Sequence, residues 1–174
     1  AQVQQKLFPQ TIPAINRCLI AAGSKPAKVV GGDYYDILKI NSELTLGVMC
    51  DVAGKGIPAS LVMVMIRTIL HIVAYSTKDP AKILRLINSG LSKSLSVENY
   101  ATMSVFIHNN TDHSIQYANA AHIPMIHYNQ KKNELIKIDT KGLPVGLENK
   151  NTYEIKTLHL EADDLLFLYT DGIT

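Results

Sequence analysis

Residues 44–75, LTLGVMCDVAGKGIPASLVMVMIRTILHIVAY, change their period in mid-run, and that change decides the fold. From Leu44 to Asp51 apolar residues fall on both faces, as in a strand covered on two sides. Gly54 and Gly56 then break the run, Pro58 suits the first turn of a helix, and Ala59 to Tyr75 contains neither Gly nor Pro. Between Leu61 and Val73 ten of thirteen positions are apolar, and only Arg67, Thr68 and His71 are polar. That is more than one buried stripe can hold, so this helix should be covered on two sides. Asp79-Pro80 opens a second helix whose Leu84, Ile87, Leu91 and Leu95 form one face at helical spacing, the natural cover for one side. A neighbouring domain, a second subunit or a further helix of the chain is expected on the other.

Outward from this stretch the pattern is strand-like. Upstream, Arg17–Ala22 and Tyr34–Ile40 are short apolar runs separated by Gly23, Ser24, Pro26 and Gly31-Gly32. Ala1–Phe8, with Val3 and Leu7 four apart and a stop at Pro9, reads as the end of a helix, so further chain is expected before it. Downstream, alternation of period two marks 102–108, 114–119, 125–128, 134–138, 153–160 and 165–169, with Asn-rich turns between several of them. Short strands joined by short loops imply antiparallel meanders. Two consecutive helices among them make the class α+β, two sheets with helices outside.

Composition narrows the function. The 174 residues correspond to one domain, and 47% hydrophobic with 18% charged residues argues against disorder. A net charge of +2, with no basic arm, gives no case for nucleic acid or anionic lipid. The longest apolar run, Leu61–Ile66, stops at Arg67, and no signal peptide opens the chain, so neither membrane insertion nor export is expected and the location is read as cytoplasmic. Cys18 and Cys50 each sit in an apolar segment without a partner at metal or redox spacing, which reads as buried thiols in a reducing compartment.

Three acidic motifs place an Asp at a strand end beside a glycine turn: Gly31-Gly32-Asp33-Tyr34-Tyr35-Asp36, Asp51-Val52-Ala53-Gly54-Lys55-Gly56 and Thr170-Asp171-Gly172. One Asp-Gly is a common turn dipeptide and carries little. Three such strand ends can converge hard oxygen ligands on Mg²⁺ or Mn²⁺. Other phosphate and hydrolase chemistries fail on the same residues. Gly54-Lys55 is followed by Gly56 and preceded at the required distance by Met49, so there is no P-loop. Neither Cys leads into a loop closing on Arg, and Ser60 and Ser104 lack a Gly-x-Ser-x-Gly context. Gly31-Gly32-Asp33 also matches a diguanylate cyclase signature, but that fold needs a βαβ half-domain upstream, and only thirty residues precede the loop.

The ordered set Gln4-Gln5-Lys6-Leu7-Phe8-Pro9, residues 31–36, residues 51–59, Ala118-Asn119-Ala120-Ala121-His122-Ile123-Pro124, Gly142-Leu143-Pro144-Val145-Gly146-Leu147 and residues 168–174 resembles the bacterial SpoIIE/RsbU-type PP2C (PPM) serine phosphatases across essentially the whole chain. The resemblance implies a PP2C-like α-β-β-α sandwich with a binuclear Mn²⁺ or Mg²⁺ site in the cleft between the sheets. By the same resemblance Asp51 bridges the two ions, the Val52 carbonyl holds one, Asp33 serves the second and Asp171 the first; Asp36 is a weaker outer candidate, with Gly172 beside the site. Paired ions lower the pKa of a bridging water, and the hydroxide attacks phosphorus in line with no covalent phosphoenzyme. The implied substrate is a phosphoserine or phosphothreonine on a STAS-domain (anti-anti-sigma) protein. An upstream sensor domain or subunit and a homodimer are the other partners.

Departures from the family pattern define the rival reading. The common Gly-His-Gly is here Gly54-Lys55-Gly56, where Lys55 could attract phosphate instead of donating a proton, and Asn-Ala-Gly-His is Asn119-Ala120-Ala121-His122. Asn119 and His122 read first as structural, a side-chain hydrogen bond pinning a strand-to-strand turn. Lys28 and Arg17 read as a solvated face more readily than as phosphate contacts. Family members continue past the motif at 170–174 into a helix and a last strand with Asp-Asp-x-Thr, so the domain at 1–174 is expected to lack its closing segment and one metal ligand. The rival is thus a PP2C-fold binding module in a sigma-factor partner-switching pathway that holds its partner without turning it over.

Overall fold

The computed structural model describes residues 2–15, 18–25, 31–92 and 99–173. Arg17, Lys28 and Leu95 lie outside the described residues. A short helix, α1 (Gln2–Gln5), precedes the strands β1 (Tyr34–Lys39) and β2 (Leu44–Val52); α2 (Ile57–Val73) and α3 (Pro80–Ser92) follow. Then come β3 (Ala101–Asn109), β4 (Ser114–Ala120), β5 (Met125–Asn129), β6 (Glu134–Ile138), β7 (Lys156–His159) and β8 (Leu165–Phe167), with a 3-10 turn at Asp171–Ile173. One sheet has the order β1-β2-β3-β4-β7 and the other β6-β5-β8, with every pairing antiparallel.

The period change in the opening stretch has direct structural causes. β2 runs through the middle of its sheet, so Leu46, Val48, Cys50 and Val52 point into the helix-side core while Thr45 and Asp51 point to the opposite face. Gly56 caps α2, and Pro58 lies in its first turn, where a missing N–H costs nothing. Asp79 Oδ1 accepts a hydrogen bond from the Lys82 N–H at 2.8 Å and so caps α3. Ile83, Leu84, Ile87 and Leu91 of α3 and Met63, Ile66 and Leu70 of α2 are completely buried. Each such side chain contributes roughly 1.5–3 kcal/mol of burial.

Only one side of α2 is covered within the described residues. Its other face leaves Ile57, Leu61 and Ile72 exposed at 61–71%, and Tyr75 in the turn just beyond the helix is exposed too. A second, smaller core lies between the sheets, built on Ile115, Tyr117, Met125 and Ile138 with Phe106 against them. The layer order among the described residues is therefore helix pair, five-stranded sheet, three-stranded sheet. On the outer face of the small sheet Leu135, Leu165 and Phe167 are solvent-exposed.

One expectation is corrected. The described part of Arg17–Ala22, Cys18–Ala22, is not a strand: it makes a single bridge from Cys18 to Ile15, and Leu19 is wholly exposed. Apolar content without a neighbouring strand to bond its peptide groups does not make a ladder. The downstream strands divide between two antiparallel sheets, as expected. After β1-β2-β3-β4 the chain crosses to the second sheet for β5 and β6, returns to pair β7 with β4, then crosses again for β8. The segment 153–160 accordingly shortens to β7, with Tyr153 buried in the helix-side core.

Candidate functional site

Sheet parity places the acidic residues. Tyr34 faces Cys50 across β1 and β2, on the helix side, so the next pair outward, Asp33 and Asp51, shares the opposite face at the end of the sheet. Asp51 lies within hydrogen-bonding reach of Asp33 and feels the charge of Asp171. The third strand end is delivered by β8 and the 3-10 turn, where Thr170 Oγ1 donates to Asp33 Oδ2 at 2.9 Å. All three carboxylates border one cleft of about 700 Å³, with Val52, Lys55 and Gly172 also in its wall. Gly32 closes the back: a Cβ there would come within 2.8 Å of the Val52 carbonyl oxygen, so only glycine lets the two backbones meet.

The electrostatics follow from this convergence. Burial, followed by the charge and hydrogen bonding of Asp33 and then the charge of Asp171, pushes the Asp51 carboxyl up to about 6. Asp33, Asp51 and Asp171 beside the Val52 carbonyl form a hard-oxygen set whose crowded negative charge a Mg²⁺ or Mn²⁺ ion would relieve, so the residues present fit such ions. The set is open-sided: among the described residues no three His, Cys, Asp or Glu side chains are gathered tightly enough to cage an ion. Lys55 stands exposed on the lip between Gly54 (φ 92°) and Gly56 (φ 76°), in a backbone conformation suited to glycine. Thiol chemistry has no support here, because burial raises the pKa of both Cys18 and Cys50.

Asn119 and His122 build the wall that carries Asp171. The Asn119 Nδ2 donates to the His122 carbonyl at 2.8 Å and to Asp139 Oδ1 at 2.6 Å, while its Oδ1 accepts the His122 N–H at 2.9 Å. The ring of His122 then joins β3 to the approach to Asp171. Its Nε2 donates to the Tyr169 carbonyl at 3.1 Å, which leaves Nδ1 to accept from Thr102 Oγ1 at 2.8 Å. Burial holds this imidazole below its ordinary pKa despite the Tyr169 carbonyl, Asp33 and Asp171, in keeping with that neutral tautomer.

Asp36 is elsewhere. Three residues from Asp33, it falls on the helix side of β1, 4% exposed, where it accepts from the Tyr34 hydroxyl, from His71 Nε2 at 2.7 Å and from the Ile37 N–H at 2.8 Å. It ties β1 to α2 and does not line the cleft. Thr170 and Gln4, by contrast, serve the site without having been singled out by sequence reading. Gln4 reaches Gly31, two residues before Asp33, from the far end of a 27-residue separation. Gln4 lies in the segment 4–9 and Thr170 in 168–174, but nothing local marks either as a hydrogen-bond partner of a distant loop.

Similarity to known proteins agrees with this geometry. The family described as Stage II sporulation protein E (SpoIIE) matches residues 42–174. The chain belongs to the SpoIIE family. It is 33% identical to phosphoserine phosphatase RsbU of Bacillus subtilis across all 174 residues, which cover 52% of that protein. Among solved structures, the SpoIIE PP2C phosphatase domain of Bacillus subtilis superposes with a TM-score of 0.74 at 25% identity, over 88% of this chain and 45% of that one. The SiaA-PP2C domain of Pseudomonas aeruginosa, at 20% identity, shares the fold with a TM-score of 0.77 over 98% of this chain and 68% of that one. This SpoIIE-family chain thus has the PP2C-type α+β architecture. It spans about half, or less, of the length of the curated relatives RsbU and IcfG. Among its described residues no helix is long and apolar enough to cross a membrane.

Proposed function

We propose that this domain hydrolyses phosphoserine or phosphothreonine on a regulatory protein, using two Mn²⁺ or Mg²⁺ ions. The observation that carries the reading is the convergence of Asp33, Asp51 and Asp171 from three strand ends on one cleft. Asp51, Asp33, Asp171 and the Val52 carbonyl are the groups that would hold the ions. When bound, such ions supply an activated water and neutralise phosphoryl oxygens. The chain's own contribution is positioning: Thr170 orients the Asp33 carboxylate, and His122 with Asn119 fixes the backbone that leads to Asp171. Lys55 on the lip offers a cation to an arriving phosphomonoester. Among the described residues the wall presents no thiol or serine held by a base, which suits direct attack by water on phosphorus.

The partners that fit are a phosphorylated STAS-domain protein as substrate and an upstream sensor domain or subunit in a cytoplasmic pathway. The name of one relative, phosphoserine phosphatase RsbU, supports the phosphoserine part of this reading. Homodimerisation and a closing segment beyond Thr174 with a further metal ligand belong to the same proposal. The test is turnover of a phosphoserine STAS protein by the full-length protein with Mn²⁺. Asp51→Ala and Asp171→Ala should each lose at least about a hundredfold, given the several kcal/mol that metal ions lend such transition states; wild-type turnover in both overturns the assignment. The open-sided ligand set favours one rival, a binding module with the same fold. Calorimetry that finds partner binding intact and no Mn²⁺ affinity in the full-length protein would establish it.

A further inference from the structure

The segment Gln4–Phe8 touches the loop that carries Asp33 from both sides. The Gln4 Nε2 donates to the Gly31 carbonyl at 2.6 Å, and the Gly31 N–H donates back to Gln4 Oε1 at 3.3 Å, so one side-chain amide reads a single residue's peptide groups in both directions. Four residues on, Phe8 packs its ring against Tyr34 and Tyr35, with centroids 5.9 and 5.4 Å apart. The same segment is fixed to the helix layer, where Arg67 Nε donates to the Leu7 carbonyl at 2.8 Å. Asp33 therefore sits between two grips of one short segment. The loop has little room to adjust, because Gly32 is already against the Val52 carbonyl.

We propose that Gln4 is a positioning residue: through its two-way bond to Gly31 it sets the place of the Asp33 carboxylate relative to Asp51 and the Val52 carbonyl, and so makes the ion-holding strength of the cleft depend on how the N-terminal helix is seated. The inference rests on the reading of Asp33 as a metal ligand. Its physical basis is general, since partners that hold a ligand's backbone or far side commonly change metal affinity 10- to 100-fold when removed. Glutamine suits the task because its amide donates to the carbonyl from Nε2 while a separate atom, Oε1, accepts the N–H of the same residue. A shift of the helix by a fraction of a turn carries Gln4 out of hydrogen-bond range of Gly31, and the loop then loses its register with Val52.

The experiment uses the full-length protein and Gln4→Met, which keeps the length and flexibility of the side chain but cannot make both bonds. Lys6→Ala, an exposed position on the same segment, serves as the control for helix effects. Two readouts are taken besides turnover: Mn²⁺ affinity by calorimetry, and amide hydrogen exchange over residues 31–35 without metal. Gln4→Met should weaken Mn²⁺ binding about tenfold and speed exchange at 31–35, with a melting temperature close to wild type and with turnover recovered at saturating Mn²⁺. Lys6→Ala should match wild type in all of these. Wild-type Mn²⁺ affinity and exchange in Gln4→Met overturn the proposal, as does an equal effect from Lys6→Ala. Asp33→Ala separates the two levels of inference. If it binds Mn²⁺ like wild type, the metal reading of Asp33 fails, whereas its loss of binding beside an unaffected Gln4→Met convicts the positioning inference alone.

Discussion

Ala121 occupies a left-handed backbone position, φ 56°, in the turn between β4 and β5 that Asn119 and His122 hold together. An L-residue with a Cβ is disfavoured there by about 1–2 kcal/mol, and glycine is not. Ala121→Gly is expected to stabilise the domain by up to about 1 kcal/mol after the entropy of the freer unfolded chain is subtracted, read as a raised thermal midpoint. Asp33, Asp51 and Asp171 were legible one residue at a time, because an acid beside a glycine turn at the end of an apolar run is a local pattern. That Asp36 lies apart from the cleft has a reason the sequence itself contains: an odd separation from Asp33 along a strand reverses the face. Gln4 and Thr170 were not legible, since their partners are 27 and 137 residues away and hydrogen bonds across such distances leave no periodic trace.

Among the elements, α2 and α3 were plain in sequence because caps and 3.6-residue spacing are both local, and most strands agree with their alternation to within a residue or two. What the alternation could not convey was which sheet each strand joins. β4, β5 and β7 read alike, yet β5 leaves the sheet that β7 completes. The junction of β1 with α2 carries a testable cost. Asp36→Ala would strand the buried Tyr34 hydroxyl and remove the acceptor of His71, so urea unfolding should register a loss of about 1–3 kcal/mol. Adding Tyr34→Phe should restore part of it, because the hydroxyl that lost its acceptor is then gone.

For the molecule as a whole, stability should fall on the acid side in stages. Burial is the main reason His122 titrates below its ordinary range, and also His108, where the neighbouring His113 adds to the lowering while Asn110 and Asp112 oppose it. The unfolded chain then takes up protons below about pH 6.5 that the folded chain refuses, so this contribution is complete above that pH and is lost as pH falls through the lowered folded values. Asp51 acts in the opposite sense in metal-free protein, its carboxyl raised to about 6 and gaining a proton early, which offsets part of the loss. Asp164 adds a later stage. Although burial pushes its carboxyl up, hydrogen bonds from the Glu161 N–H, His127 and the Gln130 N–H hold it below the usual range, so its contribution is intact above about pH 4 and disappears below. Chemical denaturation of metal-free protein from pH 8 to pH 3 should show both stages, and His108→Asn should flatten the first.

The three strand ends that meet in the cleft are also far apart in the order of synthesis. A ribosome delivers Asp171 only some 120 residues after Asp51, which at roughly 5–20 residues per second is a wait of several seconds or more. Throughout that interval the nascent chain carries two mutually repelling carboxylates without the strand that brings the third, and without Thr170 to orient Asp33. On the proposed metal reading the cleft is complete only once the strand leading to Asp171 has been made, so a product truncated before Thr170 should bind Mn²⁺ more weakly than the full-length protein, as calorimetry on the two would show.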